Sequence, residues 1–119
     1  MPKTFMDLAN EARSRIQEID ATQAAQELGA EGVAVVDVRE PDEFRQGHLP
    51  GAINIPRGVA EMGVPQMIPD RGARIILYCA GGNRSALAAD NLVQMGYGNV
   101  ASLSGGFQGW VRSGQAVTR

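Results

Sequence analysis

Short apolar runs alternate with helix-like segments along this 119-residue chain, and this alternation constrains its fold most strongly. The runs VAVVDV at 33–38 and RIILYC at 74–79 are nearly continuous, which is typical of strands buried on both faces. The segments AINIP at 52–56 and NVASLSG at 99–105 predict two further strands. Because helical patterns separate these strands, we expect an α/β domain with a mainly parallel sheet.

The segments between the strands carry helical signals. Residues 5–19 place apolar side chains near helical spacing, and residues 20–29 predict a short helix with Asp20 or Thr22 as its cap. Residues 85–97 predict a helix that packs on the sheet and ends at glycine. The remaining expectations are one turn at 41–45, an irregular connection with some helix at 57–70, and a closing helix at 106–114.

Composition excludes several classes of function. The net charge is −2, so no basic face for nucleic acid is expected. The apolar runs are too short to span a bilayer, and the acidic N-terminal segment lacks a signal core, so the predicted location is cytoplasmic. Cys79 is the only cysteine and His48 the only histidine. We therefore expect no internal disulfide, no Cys/His metal site and no cofactor, and a reducing compartment.

Cys79 stands where a predicted strand ends, and it is followed by Ala80, Gly81, Gly82, Asn83, Arg84 and Ser85 before a helix begins. Ligands of parallel α/β sheets bind beyond the carboxyl ends of the strands. Glycines allow backbone N–H groups to turn inward, and the helix start and Arg84 add positive charge. The stretch predicts a nucleophilic thiolate in an anion pocket. The alternative is a structural cysteine at the end of a core strand, which a lone cysteine by itself would favour.

Three stretches of the sequence resemble the rhodanese family, specifically its small single-domain sulfurtransferases. They are VVDVREPDEFRQGHLPGAINIP at 35–56, YCAGGNRSALAADNLVQMGY at 78–97 and LSGGFQGWVRSG at 103–114. The resemblance runs from Asp20 to Gly114. It implies an N-terminal helical extension at 1–19 and a single rhodanese-like domain at 20–119, with about five strands flanked by helices on both faces.

The resemblance also implies a reaction. Cys79 would take a sulfane sulfur from thiosulfate or a similar small donor, hold it as a persulfide and pass it to cyanide or a thiol acceptor, with residues 80–85 binding the donor. An alternative is a persulfide carrier or regulatory module that exchanges sulfur with a protein donor or acceptor and shows little small-molecule turnover. Neither interpretation involves nucleic acid or a membrane.

The loop departs from two patterns among related proteins. Phosphatases with a Cys…Arg loop have five residues between the two, whereas four separate Cys79 from Arg84. The shorter loop favours a sulfur atom over a phosphate or arsenate group. Thiosulfate-specialised two-domain rhodaneses carry basic residues directly after the cysteine, where this chain has Ala80 and Gly81. Arg84 is thus expected to be the only fixed charge of the pocket.

Several other residues have candidate supporting roles. We expect Asp37 and Arg39 to brace the loop from the neighbouring strand; the alternative is a turn cap and a surface ion pair. Glu43 is a candidate partner for Arg39 or Arg45, and His48 is expected to make a structural hydrogen bond. Two glycines at 105–106 are expected to allow close backbone approach near the loop.

Overall fold

The strand Arg74–Tyr78 lies at the centre of a five-stranded sheet in the computed structural model, which describes residues 1–119. The strands are β1 (Gln17–Ile19), β2 (Val33–Asp37), β3 (Ile53–Asn54), β4 (Arg74–Tyr78) and β5 (Val100–Leu103). All pairings are parallel, and the strand order is β1-β5-β4-β2-β3. The predicted α/β class with a parallel five-stranded sheet is confirmed.

The α-helices are α1 (Phe5–Arg13), α2 (Ala21–Glu27), α3 (Pro41–Gln46), α4 (Ala60–Met67), α5 (Asn83–Gln94) and α6 (Gly106–Arg112), with a 3-10 turn at Arg57–Val59. Side chains of α4 and α5 pack on one face of the sheet, and side chains of α2 and α6 pack on the other. α1 packs against α5. None of these helices is long and apolar enough to cross a lipid bilayer.

β4 is buried on both of its faces, which explains its continuous apolar sequence. Ile75 and Leu77 belong to the core under α4 and α5, whereas Ile76 and Tyr78 belong to the core under α2 and α6. All four side chains are fully buried. This packing on both sides fixes the position of the residue that follows the strand, Cys79.

The N-terminal segment differs from the prediction of one helix over 5–19. The helix ends at Arg13, and Gln17–Ile19 forms the edge strand β1, which pairs with β5. Ile16 and Ile19 lie three positions apart, a spacing that suits one helix face. In the structure they pack into the cores on opposite faces of the sheet instead. The division into an extension at 1–19 and a domain at 20–119 stays a prediction about boundaries.

Candidate active site

Cys79 directly follows β4, and its sulfur is surrounded by hydrogen-bond donors. The residue is 1% exposed. The backbone N–H of Gly82 donates to Sγ at 3.1 Å, and that of Ser85 points to Sγ at 3.4 Å. The Ser85 hydroxyl lies 3.5 Å from the same sulfur. The loop of residues 79–85, called the cysteine loop below, therefore forms a cradle suited to a negatively charged sulfur.

The local sequence explains this shape of the cysteine loop. Gly82 has a φ of +108°, a left-handed conformation that favours glycine, and it is the residue before α5. α5 then begins at Asn83, so Ser85 lies in its first turn, where backbone N–H groups have no partner within the helix. The positive end of the α5 dipole points toward the loop, which further favours an anion at the sulfur.

Ser102 of β5 holds the Ser85 hydroxyl in place. The two side-chain oxygens lie 2.8 Å apart, and Ser85 Oγ also lies 3.3 Å from the carbonyl oxygen of Gly82. Both serines are fully buried. Ser102 is not among the residues predicted from the sequence, although a serine inside a buried strand that pairs with β4 needs a hydrogen-bond partner and so indicates a polar neighbour.

The start of α6 supports the other side of the cysteine loop. The N–H of Phe107 donates to the carbonyl of Cys79 at 2.7 Å, and the N–H of Gln108 donates to that of Ala80 at 3.0 Å. Gly106 has a φ of +56°, and a Cβ built on it would lie 2.5 Å from the carbonyl oxygen of Cys79. The expected close backbone approach at 105–106 is confirmed.

Arg84 is not a free cation. Its guanidinium makes two contacts with the carboxylate of Glu43 in α3, at 3.0 and 3.3 Å. The hydrogen bond to Arg84 lowers the pKa of Glu43, and the same bond raises the pKa of Arg84. The prediction that Glu43 pairs with Arg39 or Arg45 was wrong. α3 directs this carboxylate to the cysteine loop instead, so the positive charge expected for the pocket is partly neutralised.

Asp37 and Arg39 form a buried ion pair beside the cysteine loop. Arg39 Nη2 lies 2.7 Å from Asp37 Oδ2 and also donates to the carbonyl of Gly47 at 2.7 Å. The guanidinium stacks on the ring of Phe107, 4.3 Å from its centroid. The alternative of a surface ion pair was thus wrong. Arg39 contacts the ring of Phe107, and the backbone N–H of Phe107 donates to the carbonyl of Cys79. The ion pair therefore supports the cysteine loop indirectly, through Phe107.

The other residues of the cysteine loop make no hydrogen bond to the Cys79 sulfur. Ala80, Asn83 and Arg84 are partly buried, and Gly81 is exposed. Of the loop N–H groups, those of Gly82 and Ser85 reach Sγ.

His48 makes the structural hydrogen bond that was predicted. Its Nδ1 lies 2.9 Å from the carbonyl oxygen of Phe44, on whose ring it stacks.

Comparisons with known proteins agree with this architecture. The family model "Rhodanese-like domain" matches residues 20–113. A sulfurtransferase from Allochromatium vinosum is 37% identical over 103 residues, which cover 86% of this chain and 94% of that protein.

Many solved structures are similar to this one, and two of them serve as examples. The first is a protein of unknown function from Rhodopseudomonas palustris, described as a possible tyrosine phosphatase; it has a TM-score of 0.85 and 33% identity and covers 99% of both chains. The second is a thiosulfate sulfurtransferase from Pseudomonas aeruginosa, with a TM-score of 0.85 and 28% identity, covering 97% of this chain and 22% of the other. On the sequence match, the sheet order and the cysteine loop together, this chain belongs to the family of rhodanese-like domains.

Proposed function

We propose that this protein is a sulfurtransferase that carries sulfur as a persulfide on Cys79. The Cys79 thiolate attacks the outer sulfur of thiosulfate or a similar donor. A sulfur–sulfur bond forms to Cys79 as the donor's own sulfur–sulfur bond breaks, and sulfite leaves with the electron pair. Cyanide or a thiolate then attacks the terminal sulfur, and Cys79 leaves as a thiolate. No oxidant or reductant is needed beyond these reactants.

The observation that carries the proposal is the set of donors around the sulfur. The Cys79 thiolate is the nucleophile of the first step and the leaving group of the second, and its negative charge lies on Sγ, so fixed donors at Sγ stabilise it in both steps. The N–H groups of Gly82 and Ser85 and the Ser85 hydroxyl converge on Sγ. Membership of the rhodanese-like family and the sulfurtransferase relatives support a sulfurtransferase-type function.

Residues 80–85 are proposed to bind the donor, and Asp37 and Arg39 to position the loop from behind. The single free cysteine means that the acceptor comes from outside the chain. It also favours a reducing compartment, so a cytoplasmic location remains our proposal.

A persulfide carrier is the alternative within the same chemistry. It would load sulfur on Cys79 from a protein donor and turn over free thiosulfate poorly. The pairing of Arg84 with Glu43 favours this alternative, because it leaves less positive charge to attract a dianionic donor.

Steady-state kinetics with thiosulfate and cyanide separate these functions. The enzyme proposal predicts parallel double-reciprocal lines, the mark of a two-step transfer, and loss of activity in Cys79→Ser. Wild-type turnover no faster than that of Cys79→Ser would reject the enzyme proposal and leave the persulfide carrier. The carrier is then tested by asking whether a cysteine persulfide donor loads sulfur on Cys79. Hydrolysis of an aryl phosphate that depends on Cys79, without sulfur transfer, would instead support a phosphatase.

A further inference from the structure

Arg13, at the end of α1, reaches the cysteine loop from outside the matched family region of residues 20–113. Its Nη2 donates to the side-chain oxygen of Asn83, the first residue of α5. A Cβ built on Gly82 would lie 3.7 Å from the same Nη2, so the guanidinium lies against the backbone of the loop.

α1 holds Asn83 from two sides. The side-chain amide of Asn83 donates to the sulfur of Met6 at 3.4 Å, while its oxygen accepts from Arg13. Arg13 is itself fixed, because it donates to Glu18 and to Asn10, each at 3.2 Å. Asn83 directly follows Gly82, whose N–H donates to the Cys79 sulfur. The chain of contacts from α1 to the sulfur therefore has one intermediate side chain.

We propose that Arg13 is a positioning residue for sulfur transfer: through Asn83 it fixes the N–H groups of the cysteine loop on Cys79. The proposal rests on the proposed function for its kinetic test, but it has a second test that needs no reaction. Under this proposal α1 has a role in the active site, because Arg13 is its last residue.

The same segment offers a matched control. Arg15 makes a bidentate ion pair with Asp90 of α5, at 3.0 and 2.7 Å. Arg13 and Arg15 thus both tie the N-terminal segment to α5, but only Arg13 contacts the start of that helix. Arg15→Gln therefore removes an anchor of the same kind, but one that lies away from the cysteine loop.

The first test is hydrogen exchange of the Gly82 and Ser85 amides, followed by NMR. Arg13→Gln is expected to raise their exchange rates about tenfold, since loss of one anchoring bond of about 1.4 kcal/mol lets the loop open more often. Arg13→Lys should restore part of the protection, and Arg15→Gln should leave these two amides as in the wild type. Equal exchange in Arg13→Gln and wild type would overturn the proposal.

The second test is a double-mutant cycle on kcat/KM for thiosulfate. Arg13→Gln is expected to lower kcat roughly five- to tenfold with little change in KM, because the N–H donors lose their geometry. Asn83→Ala is expected to lower kcat/KM by at least as much. The double variant should be no worse than Asn83→Ala alone. Additive losses would mean that Arg13 does not act through Asn83. If the wild type shows no turnover, the proposed function fails, and the exchange experiment still decides the role of Arg13.

Discussion

Arg84 donates to both carboxylate oxygens of Glu43, with Nη1–Oε1 at 3.0 Å and Nη2–Oε2 at 3.3 Å. The arginine of the cysteine loop is therefore paired with α3. Both side chains are about one-third exposed. If Arg84 binds the donor as proposed, an incoming anionic donor competes with this carboxylate for the guanidinium.

Replacement of Glu43 by Gln should free the Arg84 charge and lower the KM for thiosulfate roughly threefold, as fits an exposed ion pair worth under about 1 kcal/mol. Glu61→Gln is the control, because Glu61 pairs with Arg57 and has the same 36% side-chain exposure as Glu43. The measurement is initial-rate kinetics at low ionic strength. An unchanged or higher KM in Glu43→Gln would show that Arg84 does not meet the donor.

Replacement of Ser85 by Ala removes a hydroxyl that lies 3.5 Å from the Cys79 sulfur but keeps the backbone N–H. We expect kcat/KM for thiosulfate to fall about tenfold, equivalent to about 1.4 kcal/mol for a hydrogen bond to a charged group. Ser113→Ala, which removes a hydroxyl from the C-terminal end of α6, should leave the rate unchanged. A Ser85→Ala enzyme as fast as the wild type would mean that the backbone donors suffice.

A methyl group at Gly106 would collide with the cysteine loop. Its Cβ would lie 2.5 Å from the carbonyl oxygen of Cys79 and 2.6 Å from that of Ala80, at a φ of +56°. Gly106→Ala should lower the free energy of unfolding by roughly 2 kcal/mol or more. Gly114→Ala separates the cost of the collision from the cost of a positive φ, because Gly114 has a φ of +81° but no atom near its Cβ position. Urea denaturation should show that Gly106→Ala loses more unfolding free energy than Gly114→Ala. Equal losses in the two variants would rule out the collision.

Acid should weaken the tie between the N-terminal segment and α5. The hydrogen bonds and charge of Arg15 lower the pKa of Asp90 in the folded protein. The stabilisation is therefore complete above the usual Asp pKa and is lost as the pH falls through the lowered value. Asp90→Asn should destabilise the protein at pH 7 and show a smaller further loss at pH 3 than the wild type, by urea denaturation. An identical pH dependence in both proteins would contradict this assignment.

The central part of the fold could be predicted because its local signals agree with its tertiary packing. The apolar run of β4 has no polar alternation because both of its faces are buried. The same run of residues therefore predicts both the strand and its burial. Cys79 stands at the end of that run and is followed by glycines and a helix start. This pattern predicted N–H donors near the sulfur, and the structure has those of Gly82 and Ser85 there.

The parts that could not be predicted depend on contacts between distant segments. The spacing of Ile16 and Ile19 suits a helix, and only the free edge of β5 makes an extended conformation preferable there. The pairing of Glu43 with Arg84 spans 41 positions, so the neighbouring arginines were the wrong candidates. Likewise, Arg13 is 70 positions from Asn83, and no local pattern connects them.

Intact-protein mass spectrometry after incubation with thiosulfate shows whether Cys79 carries sulfur. We expect a gain of one sulfur atom on the wild type, its removal by cyanide, and no gain on Cys79→Ser. A wild type that gains no sulfur from thiosulfate or from a cysteine persulfide donor, or a Cys79→Ser protein that gains it equally, would rule out a persulfide on Cys79.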